Sequence, residues 1–376
     1  MTGGIRIARL FGIDISVHPS WFIILLLIVW SLGAGTFPAI YDGWSQFAYW
    51  SVAVAAALLL FVSVLLHELA HSLVALRQGT PVKGITLFFL GGVANIGREP
   101  AGPGREALMA AAGPLTSIAL GGGFLAAGQA VAGPEVLRAV LLYLGFINLA
   151  LAAFNLLPGF PLDGGRILRA AIWAVRGDLV KATRDASRVG LVIGVALIGY
   201  GAYTVLTGGL LGGLWLAFIG WILIQAGRAS YAQTVTQQRL AGVPMRRVMA
   251  HLRGWISPVE TLEHARQGFR DAQTRCLPVG TDGEHYDGLM CLTDLQARDA
   301  THPGPDTVRD VMVDRRHMES VEVSEPASEA WLRLADGHVD RLAVTDHGVL
   351  VGFVDRRRLE RYLQLHRPDD APPRAA

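Results

Sequence analysis

His67-Glu68-Leu69-Ala70-His71 sets two imidazoles four residues apart, with a carboxylate beside the first. On an α-helix positions i and i+4 share a face, so both rings can hold one metal ion. Glu68 sits about 100° around from His67 and can reach a water at that ion without ligating it. Catalytic zinc takes three protein ligands and keeps one position open, so a third ligand must come from elsewhere. Besides Glu68, the acids before residue 228 are Asp14, Asp42, Glu99, Glu106, Glu135, Asp163, Asp178 and Asp185. Only Asp163 lies in an apolar, turn-rich run, Asn155-Leu-Leu-Pro-Gly-Phe-Pro-Leu-Asp163-Gly-Gly-Arg166. By itself Asp163 reads equally as a helix N-cap or turn residue ahead of Gly164-Gly165. Asn155 reads either as an interhelical hydrogen-bonding residue or as a donor to a substrate carbonyl or developing oxyanion.

The segment that must position the two histidines is itself informative. Phe47 to Leu66 holds 20 residues without a charge, enough for a helix of about 30 Å that crosses a bilayer. Ionisable residues at membrane depth are costly and mark function by default. Further uncharged runs predict six spans: Trp21 to about Gly35, Phe47 through the HELAH segment, Ala107 to about Val131 and Ala139 to about Asn155. The 39 uncharged residues from Val189 to Gly227 supply two more, divided at Thr207-Gly208-Gly209 or Gly212-Gly213. Pro158 and Pro161 should break the fourth span and turn the chain inward. That irregular backbone is tolerated only where it faces protein or a water-filled cavity.

Basic residues gather on one side of these spans. Arg6 and Arg9 precede the first; Arg77, Lys83, Arg98 and Arg105 separate the second and third. Arg166, Arg169, Arg176, Lys181, Arg184 and Arg188 separate the fourth and fifth, whereas the opposite face has only Arg138. The asymmetry predicts a multi-pass cell-membrane protein with both termini in the cytosol. Spans two and four then run the same way, and His67 and Asp163 fall at similar depth near the cytosolic edge.

The chain has 376 residues, 52% hydrophobic and 17% charged, with a net charge of +2 and a mean hydropathy of +0.38. The charge is concentrated after about Arg228, which divides the sequence into a membrane domain at 1–230, a soluble domain at 240–366 and a disordered tail at 367–376. Nothing in the charge points to nucleic acid. No cleavable signal peptide is evident. Cys276 and Cys291 fall in the soluble part, where a cytosolic location predicts free thiols.

HELAHS in one span and NLLPGFPLDGGR in a later one resemble the site-2 protease family of intramembrane zinc metalloproteases. His18-Pro19-Ser20-Trp21 and Ala112-Gly113-Pro114 extend the likeness over the membrane domain. The resemblance implies one Zn2+ per chain held by His67, His71 and Asp163, with Glu68 as general base and Asn155 contacting substrate near the metal. It implies metal-assisted hydrolysis of peptide bonds in transmembrane segments of other proteins. Glu68 would take a water's proton and pass it to the leaving amide nitrogen. Ile85 to Gly97 is uncharged but too short to span. Around Gly91-Gly92 it reads as a re-entrant β-hairpin, or as an interfacial loop. In the family such a hairpin offers an edge strand that could hold an unwound substrate by strand addition. His18, at the membrane interface, has a weaker case for a catalytic part than the three better ligands. Gly121-Gly122-Gly123 suits close helix packing.

The soluble domain repeats weakly. Val243-Pro-Met-Arg-Arg-Val-Met249 matches Thr307-Val-Arg-Asp-Val-Met312, and Tyr286 to Asp294 matches Leu350 to Arg358. This resembles a tandem pair of cystathionine-β-synthase-type (CBS) domains, an α/β regulatory module that often binds adenine nucleotides and can mediate a homodimer. The usual ligand motif survives as Gly288 and Asp294 in the first repeat, with Cys291 between them. In the second, Gly352 is followed by Asp355 and Arg358. A structural pair without ligand is the competing reading. The expected fold is thus a polytopic α-helical membrane protein with a re-entrant β-hairpin, plus a soluble α/β CBS pair. Two other functions compete with proteolysis: a catalytically inactive membrane scaffold or nucleotide-sensing membrane protein, and a CBS-regulated channel or transporter. The first should have lost Glu68 or a ligand, and the second should spread polar residues over several spans.

Overall fold

The structure is a computed structural model and describes residues 4–89, 91–97, 100–281, 286–301, 307–335, 337 and 339–366. The tail at 367–376 lies outside the described residues. The chain separates into two compact units, Met1–Thr234 and Val235–Ala376.

The first unit opens with strands β1 (Ile5–Leu10) and β2 (Ile13–Val17), which pair antiparallel. Helix α1 (Ser20–Ser31) continues through a π-turn into the short α2 (Phe37–Ile40). Then come α3 (Gln46–Arg77), strands β3 (Val82–Phe88) and β4 (Gly91–Ile96), and α4 (Pro103–Ala130). Helices α5 (Glu135–Asn155), α6 (Asp163–Arg176), α7 (Leu179–Leu206) and α8 (Leu210–Ala241) complete it. Among the described residues six helices are long and apolar enough to cross a membrane: Ser20–Ile40, α3, α4, α5, α7 and α8. The break between α7 and α8 falls at Thr207–Gly209.

The apolar run around Gly91-Gly92 is a hairpin, β3 pairing antiparallel with β4. It belongs to a larger sheet than the sequence suggested. Strand order is β1-β2-β3-β4, with β2 parallel to β3. The N-terminal hairpin was not foreseen, although Ile13, Ile15 and Val17 alternate as a half-buried strand should and are all buried. Ile13 and Ile85 pack with Leu69 of α3, so the sheet rests on the helix that carries HELAH. His18 and Ser20 join this sheet to α1. The His18 amide donates to the Leu87 carbonyl (2.9 Å), His18 Nδ1 lies 2.8 Å from Ser20 Oγ, and Ser20 Oγ accepts from the Phe89 amide (3.2 Å).

Between α5 and α6 the chain breaks at Leu156–Leu162, as two prolines require, and the Phe160–Pro161 peptide is cis. Beyond the break lies a helix, α6, in keeping with the helix-start reading of Asp163 rather than the turn reading. The broken segment folds back over the first turn of α6, and only glycine fits there. A Cβ on Gly164 would lie 2.6 Å from the Leu157 carbonyl oxygen, and one on Gly165 would lie 2.5 Å from that of Gly159.

The second unit contains β5 (Ala250–His251), α9 (Leu262–Asp271), β6 (Cys276–Val279), β7 (Gly288–Cys291) and α10 (Leu292–Thr301). A second set comes after it: α11 (Val308–Val311), β8 (Val313–Asp314), β9 (Ser320–Glu322), α12 (Ala327–Ala335), β10 (Arg341–Asp346), β11 (Val349–Asp355) and α13 (Arg356–Leu365). Each repeat lends its first strand to the other. β5 completes the sheet β5-β11-β10-β9, and β8 completes β6-β7-β8. Gly288 and Gly352 sit at the two crossings, where a Cβ would strike the carbonyl oxygens of Val313 and Ala250. These motif glycines therefore have a packing role that is independent of any ligand.

One expectation is corrected here. Cys276 and Cys291 are not free thiols but form a disulfide. The register of β6 and β7 makes them direct cross-strand partners, with Cα atoms 4.0 Å apart.

Candidate metal centre

His67 and His71 lie in the last third of α3, a helix of 32 residues. Both are buried, at 4% exposure each. Asp163 is the first residue of α6, and the folded-back 156–162 segment delivers it to the same place. The three ligand atoms form a near-equilateral triangle. His67 Nε2 to Asp163 Oδ2, His71 Nε2 to Asp163 Oδ2, and His67 Nε2 to His71 Nε2 each measure 3.2 Å. A tetrahedral zinc ion with arms of 2.0–2.1 Å has ligand-to-ligand edges of about 3.3 Å. The triangle therefore matches one face of such a tetrahedron. Among the described residues this is the one cluster of three or more metal-binding side chains.

The surroundings fit the same reading. His71 Nδ1 donates to the Met109 carbonyl (2.7 Å), and His67 Nδ1 is 2.9 Å from Ser117 Oγ. With the Nδ1 atoms so engaged, both Nε2 atoms are left for the metal. Gly113 of α4 faces the triangle. A Cβ there would stand 2.5 Å from His67 Nε2 and closer still to His71 Nε2, so the absent side chain keeps the cradle open. Buried nitrogen and carboxylate ligands of this kind suit zinc.

Glu68 is half-buried on the neighbouring face of α3, beside β4. A Cβ on Gly92 would approach its Cγ to 2.6 Å, so glycine is what lets the strand pass the carboxylate. β4 is the outer strand of its sheet. Gly91 occupies the start of that strand at φ 128°, a conformation natural to glycine. Asn155 closes α5, half-buried, with its Nδ2 donating back to the Leu151 carbonyl (3.0 Å). Thus the structure brings His67, His71 and Asp163 together and sets Glu68 against Gly92. Asn155 is tied to its own helix.

Sequence reasoning missed the support contributed by α4. Glu106 is fully buried and pairs with Arg169 of α6, with Arg166 at 3.9 Å. Arg169 also lies over the Phe160 ring, 4.6 Å from its centroid. Glu106, Met109, Gly113 and Ser117 recur at three- and four-residue intervals, a helical stripe visible in the sequence once α4 is drawn as a helix.

In the second unit, Asp294 accepts from the Cys291 amide (2.8 Å) and is paired with Arg341. Its partner Arg341 lines a cleft of about 630 Å³, together with Arg275, Cys276, Cys291, Asp355 and Arg356 among others. Asp355 caps α13 through the Arg358 amide (2.8 Å).

Comparison with known proteins finds two families along the chain. Peptidase family M50 matches residues 55–139 and 128–198, and the CBS domain matches 308–365. Rip3 of Mycobacterium tuberculosis, which carries a zinc-metalloprotease name, is 35% identical over 98% of this chain and 94% of its own. The sll0528 protein of Synechocystis, similarly named, is 34% identical over 97% of this chain and 96% of its own. A solved site-2 protease from Methanocaldococcus jannaschii is 29% identical. It covers 60% of this chain and 94% of its own, with a TM-score of 0.40.

Proposed function

This chain belongs to peptidase family M50, the site-2 protease type of zinc metalloprotease, and from that premise we propose that it cleaves transmembrane segments of other membrane proteins. It is a multi-pass membrane protein, and residues 1–230 form the protease domain in this reading. One observation carries the proposal. The ligand triangle joins Asp163 of α6 to His67 and His71 of the spanning helix α3, which also carries Glu68 beside an edge strand.

His67, His71 and Asp163 would hold one Zn2+ per chain. Zinc, when bound, would supply Lewis-acid polarisation of the scissile carbonyl and of a water molecule. Glu68 would take the water's proton and return it to the leaving amide nitrogen. A substrate helix hides its peptide bonds, so it must first unwind. β4 has a free hydrogen-bonding edge within the described sheet, where an extended segment could add as a further strand. Gly91 and Gly92 would let that segment pass close to Glu68. Asn155 would meet the substrate carbonyl only after releasing Leu151.

Arginine and lysine placement supports a cytosolic side for both termini and for the CBS pair at 240–366, with the Cys276–Cys291 disulfide the one feature that runs against it. The arginine-lined cleft would suit an adenine nucleotide's phosphates, with the intramolecular Asp294–Arg341 pair as its competitor. A homodimer through the CBS pair would be the matching assembly.

The test is Glu68→Gln in the purified, zinc-loaded full chain, presented with a membrane-protein substrate in detergent or liposomes. Cleavage should fall to background while zinc content is retained. Cleavage at the native rate would remove the proposed mechanism.

A further inference from the structure

We propose that Ser117 is a positioning residue that sets the tautomer of His67, and with it the metal affinity of the site. The inference rests on the ligand assignment proposed above.

The two histidines are supported differently. His71 Nδ1 faces a backbone carbonyl, that of Met109, at 2.7 Å. A carbonyl only accepts, so Nδ1 must carry the hydrogen and Nε2 keeps its lone pair for a metal. No side-chain substitution at position 109 removes that acceptor. His67 Nδ1 instead faces the Ser117 hydroxyl at 2.9 Å. A hydroxyl can accept or donate, and it is the one part of this support that a single substitution deletes. Ser117 is fully buried and His67 nearly so.

Removing the hydroxyl would leave a buried ring N–H without its acceptor. Such a group costs its full desolvation, which the ring can escape by moving the hydrogen to Nε2. An Nε2–H ring cannot ligate, so zinc would have to displace the wrong tautomer before binding. Ser117 stands one helical turn beyond Gly113, which leaves the metal its space, on the same stripe as Met109 and Glu106. Glu106 holds α6 through Arg169, six residues after Asp163. Without giving a ligand, α4 thus touches the support of all three. Ser117 is its replaceable contact.

The experiment uses the purified full chain in detergent. Zinc affinity is read by competition with a chelator, and metal-free melting temperature is read in parallel. Ser117→Ala should weaken zinc 10- to 100-fold, the usual cost of losing such an outer partner. Its metal-free melting temperature should stay within a few degrees of native. Ser117→Thr, which keeps the hydroxyl, should restore affinity. Ser63→Ala removes an equally buried hydroxyl of α3, whose partners are Leu59 and Asn148. It should leave zinc affinity unchanged. The proposal is overturned if Ser117→Ala binds zinc within threefold of native, or if Ser63→Ala loses as much. It is also overturned if the loss tracks a fall in metal-free stability that Ser117→Thr fails to reverse. Failure of the underlying ligand assignment would look different: the native chain would take up no zinc, or His67→Ala would take up as much as native.

Discussion

Gly113→Ala isolates the geometry of the metal centre from the chemistry of its ligands. The added carbon would stand 2.5 Å from His67 Nε2 and closer to His71 Nε2. Ordinary carbon contacts begin near 3.5 Å, so each ring must retreat by about 1 Å. Imidazole rings are the ends of rotatable side chains and can make that move, which spares the fold. Metal ligation cannot absorb it, since ligand distances tolerate only about ±0.2 Å. The carbon also claims the volume in front of the triangle, where an ion with arms of about 2 Å would sit. We expect zinc affinity to fall more than 100-fold, equivalent to more than about 2.8 kcal/mol. The metal-free protein should be little changed, because alanine is favoured over glycine in a helix by up to about 1 kcal/mol. Zinc per chain, measured by elemental analysis after chelator challenge, is the assay. Gly122→Ala is the control, as a Cβ there has nothing within 4 Å. Native zinc content in Gly113→Ala would refute the placement of the metal before Gly113.

Contacts near and far from the metal give two further expectations. Gly92→Ala drives a Cβ toward Glu68 Cγ. Cleavage should drop at least about 10-fold while zinc content stays native, a split that separates the base from the ligands; equal loss of both would contradict it. In the second unit, Cys276 and Cys291 close a loop with a sequence separation of 15, for which a disulfide contributes about 3 kcal/mol. Oxidised protein should therefore resist unfolding of residues 235–376 more than reduced protein or Cys276→Ser. Hydrogen exchange along β6 and β7 reads this, and identical protection in all three would count against the bond.

Much of the protein could be read from its residues because two strong local signals coincide. Uncharged runs of span length need no tertiary partner to be recognised, since the bilayer itself imposes the length. The four-residue spacing of His67 and His71 works because helix periodicity is local. Pro158 and Pro161 likewise announce a break wherever they stand. Asp163 is singled out by its turn-rich setting and its depth, and its ligand role comes from the family resemblance; β1 and β2 carry only the weak signal of short strands beside long apolar helices.

Tertiary structure decided the rest, and each case turns on contacts remote in sequence. That Asp163 meets the two histidines depends on a backbone that returns over Gly164 and Gly165. Ser117 and Glu106 become supports of the site only because α4 packs against α3 and α6. The Cys276–Cys291 bond depends on the register of β6 against β7, and the roles of Gly288 and Gly352 on strands exchanged between the repeats. Periodicity and hydropathy are properties of neighbouring residues, so the sequence carries them openly. A triangle of ligand atoms at 3.2 Å joins residues 96 positions apart, and only packing sets such a distance.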